Sequence, residues 1–295
     1  MASLKDIRAR IISVKSTKKI TSAMKMVSAS KLHKTENLCL SFLPYKNTFS
    51  DSLANYMHSL DEELYIPVAE QRPIKKVAIV CFSSNSGLCG TFNTNISKLA
   101  IEVINQYDPL GKENIYIYTV GKKITDYLKK ADYTIRADYS QLYDTPTFDT
   151  IAEVADMLTG LFLSKEIDCV QLVYNHYKNA GYQIPTSEVL LPLSTSITAD
   201  EDTKATTQSL YIAEPSKEEF INTLAPKLIR IKLYAAFLDT FTSEHAARTT
   251  AMQIATENAE DIIRTITQQY NRKRQEVITN ELLDIVGGSE ALRQE

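Results

Sequence analysis

The loop that follows the first apolar run of the sequence contains residue types from which phosphate sites are built. Its sequence, SSNSGLCGTFN (83–93), comes directly after KKVAIVCF (75–82). Glycines at a strand-to-helix turn can bring backbone N–H groups close to a phosphate. Gly87 and Gly90, however, fit neither GxGxxG nor GxxxxGK(S/T), and no lysine follows to meet a terminal phosphate. We therefore expect a tight turn that needs glycine, without a nucleotide site.

The remaining nucleophiles and metal-binding residue types are scattered. Ser86 and Cys89 lie beside the loop glycines, but GxSxG is absent and no histidine is near Cys89 in sequence. No histidine or cysteine has a second one three or four residues away, and no CxxC pair occurs. These residues are His33, His58, His176, His245, Cys39, Cys81, Cys89 and Cys169. We expect no catalytic constellation, no metal and no cofactor, and four reduced thiols.

Glycine and proline are distributed very unevenly along the 295 residues. All eight glycines and nine prolines avoid residues 1–43 and 227–286. Because these residue types most disfavour a helix interior, both stretches predict long helices, and the second would extend roughly 90 Å at about 1.5 Å per residue. A helix of that length needs a partner to cover its apolar stripe, and the other long helix is the expected one.

Apolar residues in both long helices recur at the three- and four-residue intervals of a coiled coil. The apolar seam positions are Leu4, Ile7, Ile11 and Val14 in the first helix and Met252, Ala255, Ala259, Ile262 and Ile266 in the second. Polar residues take other inward positions, namely Lys18, Thr21 and Ser28, and His245, Arg248 and Lys273. Such a pair buries little apolar area, so we expect a surrounding protein sleeve to stabilise it. A plain long hairpin is the alternative.

The C-terminal helix has signals at both ends. Pro215 precedes Ser216 and Glu219, which stand in the N-cap and N3 places of a capping box. Pro226 predicts a kink or a break soon after this start. Gly287 and Gly288 predict the end of the helix, since glycine commonly follows a last helical turn.

Between the long helices, β-branched and aromatic runs alternate with shorter helical stretches. The predicted strands are 75–82, 114–120 and 168–177, with further strands near 183–194 and 208–213, and the predicted helices are 93–106, 121–131 and 147–164. This alternation favours an α/β fold class: a long antiparallel coiled coil of N- and C-terminal helices with an inserted Rossmann-like α/β domain. We expect domain limits at 1–60, 74–214 and 216–288.

Charge is segregated along the chain. Residues 1–36 carry nine lysines and arginines against two acidic residues, a net charge of +7, although the whole chain has a net charge of −3. A basic arm of this kind is a solvated helix face, or it binds nucleic acid, anionic lipid or an acidic protein loop. No run of about 18 apolar residues occurs, and the charged start MASLKDIRARI lacks the pattern of a secretion signal, so we expect a soluble protein in the cytoplasm.

Three segments carry a resemblance to a known family. IISVKSTKKITSAMKMVSASKL (11–32), SEHAARTTAMQIATENA (243–259) and YNRKRQEVITNELLDIVGG (270–288) resemble the gamma subunit of bacterial F-type ATP synthases. The loop 83–93 is also similar, although Asn85 and Thr91 stand where that family usually has a charged residue and a further glycine. The resemblance covers both ends of the chain, and its motifs are long and correctly ordered.

The resemblance implies a rotor shaft without chemistry of its own. Its partners would be the alpha and beta subunits, the epsilon and delta subunits and the c-ring, on the cytoplasmic face of the bacterial inner membrane. Position by position, it implies that Met24 and Lys25 face an acidic beta-subunit loop and that Arg274 and Gln275 meet a second one. It also implies that Tyr211 and Glu214 lie at the foot that meets the c-ring and epsilon.

Two other classes of function remain open at this point. A coiled-coil scaffold could bind nucleic acid through the +7 arm, and it would then be retained on DNA or heparin in a salt-dependent manner. A dinucleotide-binding enzyme could use residues 75–215, and it would then bind nucleotide saturably.

Overall fold

The chain contains two very long helices and an α/β region that lies between them in sequence. The computed structural model describes residues 3–58, 66–143, 146–193 and 217–293. Helix α1 spans Leu4–His58 and helix α5 spans Lys217–Arg293. The elements between them, in chain order, are β1 (Val77–Phe82), α2 (Phe92–Gln106), β2 (Ile115–Val120), α3 (Lys122–Lys130), β3 (Ile135–Asp138), α4 (Phe148–Leu163), β4 (Cys169–Asn179) and β5 (Tyr182–Leu191). The predicted fold class is confirmed.

Both long helices continue through residues that disfavour a helix interior. Helix α1 continues through Pro44, and α5 is not broken at Pro226. The predicted end at Gly287 and Gly288 is wrong, because α5 continues to Arg293. Glycine adopts helical dihedrals at a cost of only about 1 kcal/mol, so it permits a helix end without imposing one. The predicted capping residues Pro215 and Ser216 lie outside the described residues.

The five strands form one sheet in the order β3-β2-β1-β4-β5. Strands β1 to β4 are parallel, and β5 pairs antiparallel with β4. The sequence does not predict strand β3, because its four residues, IRAD, contain two charges and no apolar run. The strand predicted near 208–213 lies outside the described residues.

The central strand β1 is fully buried and separates two apolar layers. Val77, Ile79 and Cys81 face the layer that contains α2 and α3. Ala78, Val80 and Phe82 face the layer that contains α4 and parts of α1 and α5. Continuous apolar character with alternating faces is what a parallel strand covered on both sides requires.

Contacts divide the chain into two compact units. One unit, the helix pair, comprises Met1–Ser28 and Thr249–Glu295; the other, the α/β unit, comprises Ala29–Arg248. The α/β unit therefore contains the sheet together with the adjoining segments of α1 and α5. The domain limits 1–60, 74–214 and 216–288 stay a prediction.

Candidate functional site

The loop after β1 is held in one conformation by its own side chains. The Ser84 hydroxyl donates to the Ser86 carbonyl at 2.6 Å, and the Ser84 N–H donates to Asn93 Oδ1 at 3.2 Å. Leu88 and Gly90 both have left-handed backbone conformations, with φ of 62° and 61°. The tight turn predicted here is therefore present, and glycine fits the left-handed geometry at Gly90.

Arg248 of α5 is bonded to this loop. Its Nη2 donates to Ser86 Oγ at 2.8 Å and to the Ser86 carbonyl at 3.3 Å. Its Nη1 lies 2.7 Å from Glu244 Oε1, one helical turn earlier. Both charged side chains are less than a tenth exposed. A buried ion pair is stable when further hydrogen bonds satisfy its members, and the loop supplies those for Arg248.

Further α5 residues bond to β4, the strand beside β1. The Thr240 hydroxyl accepts from the Asn175 N–H at 3.4 Å, and the Ser243 hydroxyl donates to the Asn175 carbonyl at 3.2 Å. Strands β1 and β4 flank the point at which strand order reverses, where doubly wound sheets bind their ligands. In this chain, side chains of α5 occupy that position.

At Ser86 the loop presents a carbonyl, and not an N–H group, to the side chain of Arg248. Phosphate loops aim backbone N–H groups at an anion, whereas here the Ser86 carbonyl accepts from a guanidinium. That no nucleotide binds at this loop stays a prediction. Asn85, at a position where the resembled family usually differs, bridges two further elements: its Nδ2 donates to the Ser140 carbonyl at 2.9 Å, and its Oδ1 accepts from the Lys122 N–H at 3.0 Å.

Burial governs the protonation of the groups around Arg248. It lowers the pKa of His245 to about 4, with a further contribution from the nearby charges of Arg248 and Lys31. It raises the pKa of Glu244, and the Arg248 guanidinium opposes that shift. Burial also raises the pKa of the Cys89 thiol, which disfavours the thiolate that nucleophilic chemistry requires.

The other candidate nucleophiles and ligands have structural environments. All four cysteines are buried free thiols, and burial raises the pKa of Cys39 to about 11 and of Cys81 to about 12. His176 Nδ1 lies 2.8 Å from Asp239 Oδ2, and the His245 ring packs edge-on against Phe241. Within the part of the chain that the structure describes, no group of three histidine, cysteine or acidic residues could hold a metal ion.

The helix pair has the polar seam that its sequence predicts. Thr21 and Ser28 are buried, and the Thr21 and Thr256 hydroxyls lie 2.8 Å apart. Lys18 Nζ contacts Glu260 Oε1 at 2.7 Å across the pair. Polar side chains thus meet where a self-sufficient coiled coil would place leucine or isoleucine.

The apolar positions of the α5 seam differ from the prediction at one residue. Met252, Ala259 and Ile266 are buried as expected, but Ile262 is 44% exposed. Ile263 is half-buried instead, since it falls on the interval that joins Ala259 to Ile266. Assigning Ile262 to the seam was therefore wrong by one residue.

The residues that the resemblance singles out are distributed over both long helices. Met24 and Lys25 are half-buried on α1, and Arg274 and Gln275 are exposed on α5. Tyr211 and Glu214 lie outside the described residues. The sequence does not predict the Glu244–Arg248–Ser86 constellation. The signal that it offers is an arginine four residues after a glutamate, at an inward position of the seam.

These features define a class of protein. Two long helices enclose, in sequence, a doubly wound domain whose ligand position is occupied by its own C-terminal helix. Such an arrangement fits a structural and coupling subunit, because side chains of α5 lie where doubly wound folds usually bind a ligand. In the part of the chain that the structure describes, no helix has the combined length and apolarity needed to cross a bilayer.

Comparisons with known proteins identify the family. A family model described as ATP synthase matches residues 3–292. The ATP synthase gamma chain of Bacteroides fragilis is 47% identical over 291 residues, which cover 99% of this chain and 100% of the relative. That of Bacteroides thetaiotaomicron is 44% identical over 297 residues, covering 98% and 99%. The chain belongs to the ATP synthase gamma chain family, whose members are coupling subunits and are not themselves catalytic.

Solved structures share the fold at lower sequence identity. A chain of the Euglena gracilis mitochondrial ATP synthase (OSCP/F1/c-ring, rotational state 3) matches with a TM-score of 0.66 and 20% identity, over 98% of this chain and 94% of that one. A chain of the Tetrahymena thermophila mitochondrial ATP synthase central stalk and c-ring matches with a TM-score of 0.59 and 23% identity, over 80% and 99%.

Proposed function

We propose that this chain is the central rotor shaft of a proton-translocating ATP synthase. In this role it couples rotation of a c-ring, driven by proton flow, to conformational change at the catalytic sites of beta subunits. The reverse direction, in which ATP hydrolysis drives proton pumping, uses the same coupling. The proposal rests on the family of the chain and on one observation in the helix pair.

That observation is the large apolar surface that the helix pair leaves uncovered. Large apolar side chains on both of its helices are at least 44% exposed, including Ile12, Ile20, Met26, Val27, Ile254, Ile278, Leu283, Ile285 and Val286. Exposure of many large apolar side chains along one pair of helices supports a partner protein that covers them. A sleeve formed by alternating alpha and beta subunits would cover it on all sides.

The basic arm supports the same role electrostatically. Residues 1–36 carry a net charge of +7, and Lys19 and Lys25 have no ion pair among the described residues. A basic shaft that turns past acidic loops gains long-range attraction without needing one fixed partner side chain. Because one asymmetric shaft meets several catalytic sites, its angle can favour a different conformation at each.

The finer assignments are part of the proposal. Met24 and Lys25 would face an acidic loop of a beta subunit, and Arg274 and Gln275 would meet a second loop. Tyr211 and Glu214 would contact the c-ring and epsilon, with delta in the same complex. The chain would fold as domains 1–60, 74–214 and 216–288 and act at the cytoplasmic face of the bacterial inner membrane.

Co-purification tests the proposal as a whole. A tagged full-length chain expressed in its own host should bring down alpha and beta subunits, and vesicles containing the complex should pump protons when ATP is added. Salt-dependent retention on heparin without those partners would instead favour a coiled-coil scaffold that binds nucleic acid. A chain that never associates with alpha and beta subunits would overturn the rotor function.

Two variants test the contact residues. Met24→Lys places a second cation beside the proposed acidic loop and should lower the number of protons pumped per ATP. Arg274→Ala combined with Gln275→Ala should lower ATP turnover in complexes that still assemble, because a polar contact to a moving partner is lost. Lys273→Ala is the matched control, since Lys273 pairs with Glu276 at 3.0 Å within its own helix. Unchanged pumping and turnover in the test variants would contradict these placements.

A further inference from the structure

The hydroxyl of Tyr143 is buried beside α5 and has no hydrogen-bond partner among the described residues. The Tyr143 ring packs on two phenylalanines of α5, with ring centroids 5.3 Å from Phe237 and 5.6 Å from Phe241. A phenolic hydroxyl both donates and accepts, and burying it without a partner costs free energy. The protein atoms around Tyr143 therefore leave that cost uncompensated.

One carboxylate oxygen of Glu244 is in the same situation. Its Oε1 lies 2.7 Å from Arg248 Nη1, whereas its Oε2 is buried and accepts from no donor in the described part of the chain. A buried carboxylate oxygen without a donor is more costly than a neutral group in the same place. Arg248 thus accounts for only half of this carboxylate.

The two unpartnered groups are neighbours. Phe237, Phe241 and Glu244 follow one another at intervals of four and three residues, so they lie on one face of α5. The Tyr143 ring covers the first two, and burial raises the pKa of its hydroxyl well above the usual value, with a further increase from the charge of Glu244. A donor and a charged acceptor are thus close to each other without being directly bonded, which is where a bridging water is expected.

We propose that Tyr143 and Glu244 bind one buried water molecule beside the loop that follows β1. The water accepts from the Tyr143 hydroxyl and donates to Glu244 Oε2, as buried waters do when they join otherwise unpaired polar groups. A cation here would be repelled by Arg248 and an anion by Glu244, so a neutral molecule that donates and accepts fits the pair. The water would link the segment before α4 to the Glu244–Arg248 pair, and this inference is independent of the rotor function.

A structure of the full-length chain, alone or in its complex, tests the site directly at a resolution that shows ordered water. We expect density for one water within hydrogen-bond distance of both the Tyr143 hydroxyl and Glu244 Oε2. A direct hydrogen bond between these two groups, or no density within reach of both, would overturn the proposal. Because this measurement uses the unmodified chain, it does not depend on whether a variant folds.

Tyr143→Phe removes only the hydroxyl, so the sign of its effect separates a hydrated hydroxyl from an unpaired one. If a water bridges the pair, Glu244 Oε2 loses support, and hydrogen exchange of amides 237–248 in the full-length chain should become about fivefold faster. If the hydroxyl is unpaired, phenylalanine removes a costly buried group, and exchange should be unchanged or slower. That second result would overturn the site. Tyr182→Phe is the matched control and should change nothing, because Tyr182 is 59% exposed.

Glu244→Gln tests whether Glu244 is the other group that holds the water. In this background, Tyr143→Phe should accelerate exchange only about twofold, because a hydrogen bond to a charged acceptor is roughly twice as strong as one to a neutral acceptor. Exchange of the same amides in the two single variants and the double variant measures this coupling. Equal acceleration by Tyr143→Phe in both backgrounds would mean that its hydroxyl does not act through Glu244, and the proposed site would be wrong.

Discussion

The α/β unit and the helix pair bury very different kinds of side chain. In the α/β unit, every residue of β1 is at most 1% exposed, and two apolar layers cover the sheet. In the helix pair, buried positions include Thr21 and Ser28, and isoleucines such as Ile12 and Ile20 point away from the seam. The first region buries a large apolar core, whereas the second buries little apolar surface of its own.

Their buried polar groups also differ. In the α/β unit, the Glu244–Arg248 pair is bonded to a loop 162 residues away in sequence, so it fixes one tertiary arrangement. In the helix pair, the Lys18–Glu260 contact is 39% and 50% exposed and constrains little. A turning shaft needs a surface that can exchange partners, and the region attached to it needs a fixed shape. The four predictions below test this contrast, from the largest expected effect to the smallest.

Phe162→Ala should destabilise the α/β unit most. Phe162 is fully buried on α4, and removing a buried phenylalanine leaves a cavity that costs about 4 kcal/mol in the free energy of unfolding. Hydrogen exchange of the β1 amides in urea measures this change in the free energy of unfolding. Leu163→Ala, at a position that is 48% exposed, should change the value by less than about 0.5 kcal/mol. Similar small effects at both positions would contradict a densely packed core.

Acidification should weaken the α/β unit through His245. Burial lowers its pKa from 6.5 to about 4 in the folded state, so between these values the unfolded chain binds more protons. The stability from this group is complete above pH 6.5 and is lost as the pH falls toward 4, with a loss of about 2 kcal/mol at pH 5. Unfolding curves of wild type and His245→Gln at pH 7 and pH 5 measure it; parallel pH dependence of the two chains would refute it.

The seam of the helix pair should tolerate removal of its polar contact if both partners change. Thr21→Val alone should cost about 1 kcal/mol, because Thr256 loses its partner across the seam. Thr21→Val combined with Thr256→Val should recover that loss, since two apolar side chains of the same shape replace the pair. Hydrogen exchange of amides 14–28 measures the stability of the helix pair in the single and the double variant. A double variant less stable than the single one would show that the hydroxyl pair stabilises the seam.

Lys18→Met should have the smallest effect. The Lys18–Glu260 pair is largely exposed, so salt screens the attraction between its two charges. Any difference in melting temperature from the wild type at low salt should therefore vanish at about 1 M salt, where the Debye length is about 3 Å. Lys19→Met, an exposed lysine without an ion pair among the described residues, is the control. Thermal melts of both variants at two salt concentrations are sufficient. A salt-resistant loss only in Lys18→Met would mean that this contact is more than a surface pair.

Much of the architecture followed from local features of the sequence. Strands β1, β2 and β4 begin within two residues of their predicted starts, because apolar β-branched runs bounded by breakers are strong local signals. Errors occurred where local signals are weak or permissive. Strand β3 has no apolar run, and Gly287 and Gly288 allow a helix to continue. In the seam, a step of three residues from Ala259 selects Ile262, whereas the structure uses the step of four that selects Ile263.

The sequence by itself determined the two long helices, the alternating α/β segment and the polar character of the seam. Each of these depends on helix propensity, strand propensity or periodicity, which neighbouring residues decide. Only the tertiary structure decided that Arg248 and Glu244 meet the loop of Ser86 and Leu88. A contact between residues 162 positions apart depends on how helices pack on the sheet, and no local pattern in either segment specifies it.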